Sequence, residues 1–199
     1  MTRIKICGLT REEDVRAVNE AMPDYVGFVF ADSRRRVTPA KAARLAERLD
    51  PAVRRVGVFV REPLETVAAL LESGLLHMAQ LHGGEDASYI ARLRALTGKP
   101  LIQAFAIGCE ADARRAEASG ADWILLDNGS GGTGSAFDWR LTDGITRPFF
   151  LAGGLTPANL TEAVRQTHPF AVDLSSGVEI GGRKDPDKIR EAVRRIRDV

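Results

Sequence analysis

The chain has little of what marks exported, metal-binding or nucleic-acid-binding proteins. Its 199 residues include two cysteines and three histidines and carry a formal net charge of +1. The two cysteines are far apart and have no CxxC spacing, which indicates neither a disulfide framework nor a zinc site. A near-neutral charge also lacks the basic excess that is typical of nucleic-acid binders. We therefore expect no metal and no nucleic-acid partner.

Long apolar runs are missing as well. No run approaches the roughly 18 residues of a membrane helix, and the opening MTRIKICGLTREED lacks the apolar stretch of a signal peptide. The sequence therefore predicts a cytoplasmic protein without a membrane partner. Because no linker of proline and serine divides the chain, we expect a single domain over residues 1–199.

The chain does contain a repeated alternation of short apolar runs with longer stretches of helical periodicity. The apolar runs predict eight strands, at 3–7, 25–30, 54–60, 77–81, 100–106, 122–127, 148–152 and 170–174. The intervening stretches predict helices at 11–21, 39–49, 63–73, 86–96, 110–119, 157–166 and 186–196, with a weak one near Asp138.

Strict alternation of strands and helices predicts a parallel sheet with right-handed crossovers. Eight units favour a closed barrel over a doubly wound sheet of five or six strands, which would leave two strands over. The predicted fold class is thus α/β, a single-domain (β/α)8 TIM barrel. In such a barrel, polar residues at the C-terminal ends of the strands converge on one mouth, where the chemistry takes place.

Polar residues do cluster at the predicted strand ends. They are Cys7, Gln80, His82, Asp127 and Asp173. Strand periodicity puts Gln80 and His82 on one face, and it puts Lys5 and Cys7 inside the barrel because the isoleucines beside them suit the helix-packed exterior. A lysine inside a barrel requires a carboxylate partner, for which Asp127 and Asp173 are available.

Each of these residues also has an ordinary structural interpretation. Taken alone, Cys7 is a small buried hydrophobic residue, Asp127 a turn residue and His82 a loop histidine. The arginines at 34–36 alone indicate a solvated charge cluster. The common position of the polar residues at one end of several strands favours a functional site.

Two glycine-containing loops form a second group. Gly153 and Gly154 follow the seventh strand, and Ser175, Ser176 and Gly177 follow the eighth. In barrels these two loops, with a short extra helix, commonly bind phosphate through backbone N–H groups, although plain turns would have the same composition. We predict a phosphorylated small-molecule ligand, with Arg35 or a neighbour holding a second anionic group and the glycine-rich segment 129–134 forming a loop over the mouth.

Several motifs resemble those of one family. They are KICGLT (5–10), SRRRVTP (33–39), QLHG (80–83), ILLDN (124–128), GGTGSAFDW (131–139), LAGGLTPANL (151–160) and PFAVDLSSGVE (169–179). In this order, nearly end to end, they resemble phosphoribosylanthranilate isomerase. The resemblance implies an Amadori rearrangement of N-(5-phosphoribosyl)anthranilate to 1-(2-carboxyphenylamino)-1-deoxyribulose 5-phosphate. That reaction is the third step of tryptophan biosynthesis from chorismate and uses no cofactor.

The resemblance also implies roles for individual residues. Cys7 corresponds to the general base and Asp127 to the general acid. Arg35 corresponds to the residue that holds the anthranilate carboxylate, with Arg36 as the alternative. His82 and Asp173 match ligand-contacting positions. The phosphate site, which is predicted from the two loops and not from the resemblance, comprises Gly153, Gly154, Ser175, Ser176 and Gly177.

The proposed chemistry sets requirements on two pKa values. A general acid at Asp127 needs a pKa raised by the barrel mouth, and a thiol near pKa about 8.5 needs help to ionise. We expect Lys5 and nearby arginines to lower the pKa of Cys7. Another phosphosugar isomerase or epimerase barrel and a non-catalytic phosphate-binding barrel are the alternatives, and both monomer and homodimer remain open.

Overall fold

The computed structural model describes residues 1–128 and 138–199. Eight strands pair in chain order, all in parallel, and close into a barrel, which confirms the predicted fold class. Their bounds are β1 Arg3–Cys7, β2 Tyr25–Val29, β3 Arg54–Phe59, β4 Met78–Leu81, β5 Leu101–Ala106, β6 Trp123–Asp127, β7 Phe149–Leu151 and β8 Ala171–Leu174. Each begins or ends within two residues of its predicted position.

The connections carry seven α-helices in the described residues. They are α1 Glu12–Ala21, α2 Pro39–Ala46, α3 Leu64–Glu72, α4 Ala87–Leu96, α5 Glu110–Glu117, α6 Leu160–Thr167 and α7 Pro186–Arg197. Where the sequence predicts a weak helix near Asp138, a single 3-10 turn spans Trp139–Thr142. The glycine-rich segment 129–134 lies outside the described residues. No described helix combines the length and apolar character needed to cross a membrane.

Among the differences from the sequence prediction, two lie in the connections after β7 and β8. Helix α6 begins at Leu160 rather than at 157, because the Asn159 side chain accepts a hydrogen bond from Thr156 N at 2.8 Å and stabilises a turn before the helix. After β8, a short 3-10 helix at Ser176–Val178 is followed by a hairpin, which was not predicted. Its strands are β9 Glu179–Ile180 and β10 Arg183–Lys184.

The strands divide the apolar core into an inner and an outer layer. Ile4 and Ile6 belong to the outer layer, packed under the helices. The inner layer lies inside the barrel and includes Tyr25, Leu125 and Phe150. The predicted orientation of the first strand is therefore correct, and its alternate residues, including Lys5, face the interior.

Candidate active site

A cavity of about 140 Å³ opens at the C-terminal ends of the strands. Most of the predicted site residues line it, namely Cys7, His82, Asp127, Gly153, Gly154, Asp173, Ser175 and Ser176. Two other predicted residues, Arg35 and Gly177, are not among its described lining residues. The convergence predicted for the barrel mouth is thus observed for residues from β1, β4, β6, β7 and β8.

A fully buried lysine lies beneath the polar side chains that line the cavity. Lys5 Nζ donates hydrogen bonds to Asp173 Oδ2 at 2.7 Å and to Gln80 Oε1 at 2.9 Å. Of the two carboxylates that the sequence offers, Asp173 is therefore the partner. Burial alone lowers the pKa of Lys5, but the charges of Asp173 and Cys7 outweigh it and raise that pKa. Both effects of Asp173, its charge and its hydrogen bond, favour the charged form of Lys5 inside the barrel.

Cys7 is a buried thiol whose pKa is shifted in the direction opposite to the sequence-based expectation. Burial is the largest influence and raises the pKa, while the charges of Lys5 and Lys184 lower it and that of Asp173 raises it. The prediction that Lys5 and the arginines lower this pKa overall was wrong, because desolvation of the thiolate outweighs the attraction to Lys5. Gly27 in β2 leaves room for the thiol, since a Cβ there would lie 2.5 Å from Cys7 Sγ.

Asp127 has the raised pKa that a general acid requires. Burial is the main cause, and His82 together with the backbone N–H of Asn128 opposes it. The carboxylate is oriented by two neighbours: Oδ1 accepts a hydrogen bond from Asn128 N at 2.7 Å, and Oδ2 lies 3.7 Å from His82 Nε2. His82 Nδ1 in turn is 2.8 Å from Gln80 Nε2, as their common strand face predicts.

The two phosphate-loop candidates have distinct structures. Gly153 and Gly154 have φ values of +83° and +66°, a region that disfavours side chains. Asn159, which sequence analysis missed, holds this loop by donating from Nδ2 to Gly154 O at 3.0 Å. Gly177 lies against the same loop, because a Cβ on it would sit 1.8 Å from Leu155 O. The two loops pack so closely at this position that a side chain has no room.

Arg35 lies at the rim of the mouth, across the glycine that follows Cys7. A Cβ on Gly8 would lie 2.4 Å from Arg35 Cδ. Nε and Nη2 of Arg35 donate to Glu179 at 2.7 and 2.9 Å, which leaves the Nη1 edge of the guanidinium for another anion. Arg36 is exposed, whereas Arg35 is half-buried and lies next to the C-terminal end of β1.

Glu179 and Lys184 are functional candidates that sequence analysis missed. The Glu179 side chain, 4% exposed, accepts from Arg34, Arg35 and Lys184. Burial opposes its charge, but Arg35 and Lys184 outweigh burial and lower the pKa of Glu179 to about 2. Lys184 also donates to Ser175 O at 2.9 Å. Glu179 is the last residue of the motif PFAVDLSSGVE, which could have indicated a functional role for it. No motif in the sequence includes Lys184.

The fold and this mouth together define an enzyme of the (β/α)8-barrel class. No cluster of three or more His, Cys, Asp or Glu side chains suited to a metal ion occurs in the part of the chain that the structure describes. A family model described as N-(5'-phosphoribosyl)anthranilate isomerase matches residues 4–195. The chain belongs to this family.

Relatives and solved structures agree with the family model. A curated N-(5'-phosphoribosyl)anthranilate isomerase from Endomicrobium trichonymphae is 46% identical, with both chains fully covered. Phosphoribosyl anthranilate isomerase structures from Thermotoga maritima and Thermus thermophilus superpose with TM-scores of 0.90 and 0.88 at 38% and 37% identity, covering 100% and 99% of both chains. Isomerisation of N-(5'-phosphoribosyl)anthranilate in tryptophan biosynthesis is accordingly the activity of this chain.

Proposed function

We propose that the chain performs this isomerisation by acid–base catalysis with Asp127 as the general acid and Cys7 as the general base. The observation that carries the proposal is that both side chains line one cavity between two glycine-containing loops. A solved relative, 36% identical with a TM-score of 0.87, is in complex with reduced 1-(o-carboxyphenylamino)-1-deoxyribulose 5-phosphate. That ligand has a phosphate and a carboxylate at opposite ends, the two anionic groups expected at this mouth.

The reaction begins with ring opening. Asp127 gives its proton to the furanose oxygen while the bond from that oxygen to C1′ breaks, and the amine nitrogen becomes an iminium cation. Because burial raises the pKa of Asp127, more of the carboxyl group is protonated near neutral pH than in water.

Proton abstraction follows. The iminium acidifies the C2′ proton, which the Cys7 thiolate removes to give an enolamine. The enolamine then tautomerises to the 1-amino-1-deoxyketose product. Burial makes the thiolate scarce but also a stronger base, since a higher pKa means a greater affinity for the proton.

Three groups bind and orient the substrate in this proposal. The phosphate is held by backbone N–H groups of the Gly153–Gly154 and Ser175–Ser176 loops, and the anthranilate carboxylate is held by the free edge of Arg35. Asp173 Oδ1, which is buried and has no hydrogen-bond partner among residues 1–128 and 138–199, accepts from a ribose hydroxyl. A phosphorylated biosynthetic substrate agrees with the cytoplasmic location that the sequence predicts.

Turnover provides the direct test of the function. Purified protein mixed with N-(5'-phosphoribosyl)anthranilate should remove its anthranilate-type fluorescence, and heat-denatured protein should not. Unchanged fluorescence with folded protein would leave the non-catalytic phosphate-binding barrel as the better explanation. Loss of fluorescence only with another phosphorylated aminoaldose would favour a related isomerase.

Glu179→Gln should raise KM about tenfold and leave kcat nearly unchanged, because the charged clamp that fixes Arg35 weakens while the acid and base remain. Steady-state kinetics checks the split between the two constants. Glu191→Gln is a matched control, since its carboxylate pairs with Arg195 on α7 at the surface. A fall in kcat with constant KM would contradict the assignment of Glu179 to carboxylate binding through Arg35.

Gly154→Ala should raise KM by roughly fivefold to thirtyfold, because a left-handed alanine costs about 1–2 kcal/mol and the phosphate loop relaxes away from its binding geometry. Gly74→Ala is the control: its φ of +76° imposes similar strain after α3, away from the cavity. Inhibition by inorganic phosphate measures the same loss independently. Equal KM values for the two variants would argue against phosphate binding at this loop.

A further inference from the structure

Three side chains form a continuous hydrogen-bonded path beneath the mouth, from the lysine beside Cys7 toward Asp127. Lys5 Nζ donates to Gln80 Oε1 at 2.9 Å, and Gln80 Nε2 lies 2.8 Å from His82 Nδ1. His82 Nε2 then faces Asp127 Oδ2 at 3.7 Å. Lys5 is fully buried and Gln80 is 2% exposed, so bulk water does not compete for the contact between them. The contact between Gln80 and His82 is part-buried, because His82 lies at the open side of the path.

The chemistry of the first residue fixes the direction of every bond in this path. An ammonium group has donors and no acceptor, so Lys5 requires the oxygen of the Gln80 amide. The amide NH₂ of Gln80 must then face His82, and it can only donate. His82 Nδ1 is therefore the acceptor, and the neutral imidazole carries its hydrogen on Nε2.

This tautomer determines whether His82 presents an N–H group or a lone pair to Asp127. Asp127 Oδ1 already accepts from Asn128 N, which leaves Oδ2 as the oxygen that bears the acid proton. An Nε2–H group on His82 cannot accept that proton, and from 3.7 Å its positive end faces the carboxylate once the proton has left, which is a favourable charge–dipole contact. The opposite tautomer would present a lone pair to the same proton and draw it away from the substrate.

We propose that Gln80 is a positioning residue that, oriented by Lys5, holds His82 as the Nε2–H tautomer and so keeps the proton of Asp127 available to the substrate. The inference rests on the proposed role of Asp127 as general acid. It concerns the hydrogen on His82 and does not require His82 to change its charge. Gln80 acts through His82, with Lys5 as the group that selects the orientation of the amide.

Nitrogen NMR of the histidine rings in the full chain tests the tautomer directly. The chain has three histidines, and the signals of His82 are those that disappear in His82→Asn. We expect an unprotonated Nδ1 and a protonated Nε2 in the neutral ring. Protonation of Nδ1 in the unsubstituted protein would overturn the proposal, whatever the behaviour of any variant.

Gln80→Glu reverses the hydrogen bond. The carboxylate still accepts from Lys5, but it presents an acceptor to His82, so the hydrogen should move to Nδ1 and kcat should fall about tenfold or more with KM within about threefold. Gln80→Met, which offers neither donor nor strong acceptor, should give a mixture of tautomers and an intermediate kcat. An unchanged tautomer in folded Gln80→Glu, or a changed tautomer with full kcat, would contradict the proposal.

Gln103→Glu is the matched control. Gln103 is also buried, on the neighbouring β5, and donates to Glu85 O at 2.7 Å rather than to His82. Its substitution should lower thermal stability without altering the His82 spectrum. The proposal for Asp127 and the proposal for Gln80 can be contradicted separately. Full turnover in Asp127→Asn would contradict the role of Asp127 as general acid. An Nδ1–H tautomer of His82 together with an inactive Asp127→Asn would contradict only the role of Gln80.

Discussion

Asp127→Asn should lower kcat for the isomerisation by about 10² to 10⁴-fold, the range that general acid–base groups contribute. Asparagine keeps the shape of the side chain and an oxygen that can accept from Asn128 N, so the end of β6 should remain in place. What disappears is the proton that the furanose oxygen needs as its bond to C1′ breaks. Single-turnover fluorescence should show a slow chemical step with substrate binding retained.

Asp122→Asn is the control for this substitution. Asp122 immediately precedes β6, at the other end of the barrel, where its carboxylate accepts from Leu101 N at 2.7 Å and pairs with Arg94. The same exchange there should reduce the melting temperature slightly and leave kcat unchanged. Comparable kcat values for Asp127→Asn and the unsubstituted protein would remove Asp127 from the acid role.

Cys7→Ala should produce a loss of similar size, about 10² to 10⁴-fold in kcat, because the base for the C2′ proton is removed. Alanine fits the site, since the thiol is buried and no charged partner depends on it for pairing: Lys5 retains Asp173. Substrate deuterated at C2′ should show a larger isotope effect in Cys7→Ala than in the unsubstituted protein, as proton removal becomes more strongly rate-limiting.

The second cysteine supplies the comparison for the first. Cys109 is exposed and lies at the N-cap of α5, with its thiol 3.4 Å from Asp112 Oδ2. Cys109→Ala should change stability modestly and turnover not at all. An isotope effect that does not respond to Cys7→Ala, together with retained turnover, would show that another group removes the proton.

The strand order and the inner face of the barrel were predictable because they depend on local pattern. Ile4 and Ile6 alternate with Lys5 and Cys7. Because successive side chains of a strand point to opposite faces, placing the isoleucines under the helices puts Lys5 and Cys7 inside the barrel. Gln80 in β4 and His82 directly after it were placed together by the same rule. The direction of their hydrogen bond was not, because it depends on a lysine 75 positions away in the sequence.

Other parts of the site depend on quantities that a sequence does not contain. The pKa of Cys7 is decided by competition between burial and Lys5, and the extent of burial emerges only from packing. The clamp on Arg35 comes from a hairpin with two-residue strands, too short to leave a periodic signal. The close approach of Gly177 to the carbonyl of Leu155 likewise depends on how two loops pack, which the sequence does not reveal.

The pairing of Lys5 with Asp173 has a consequence for how the chain is made. The two residues face each other across the seam where β1 meets β8, 168 positions apart. During synthesis Lys5 is made long before Asp173, its carboxylate partner. Without β8, the ammonium group of Lys5 would be buried with no carboxylate partner, which is strongly unfavourable. The pairing of β1 with β8 therefore both closes the barrel and supplies the carboxylate partner of the buried lysine beneath the mouth.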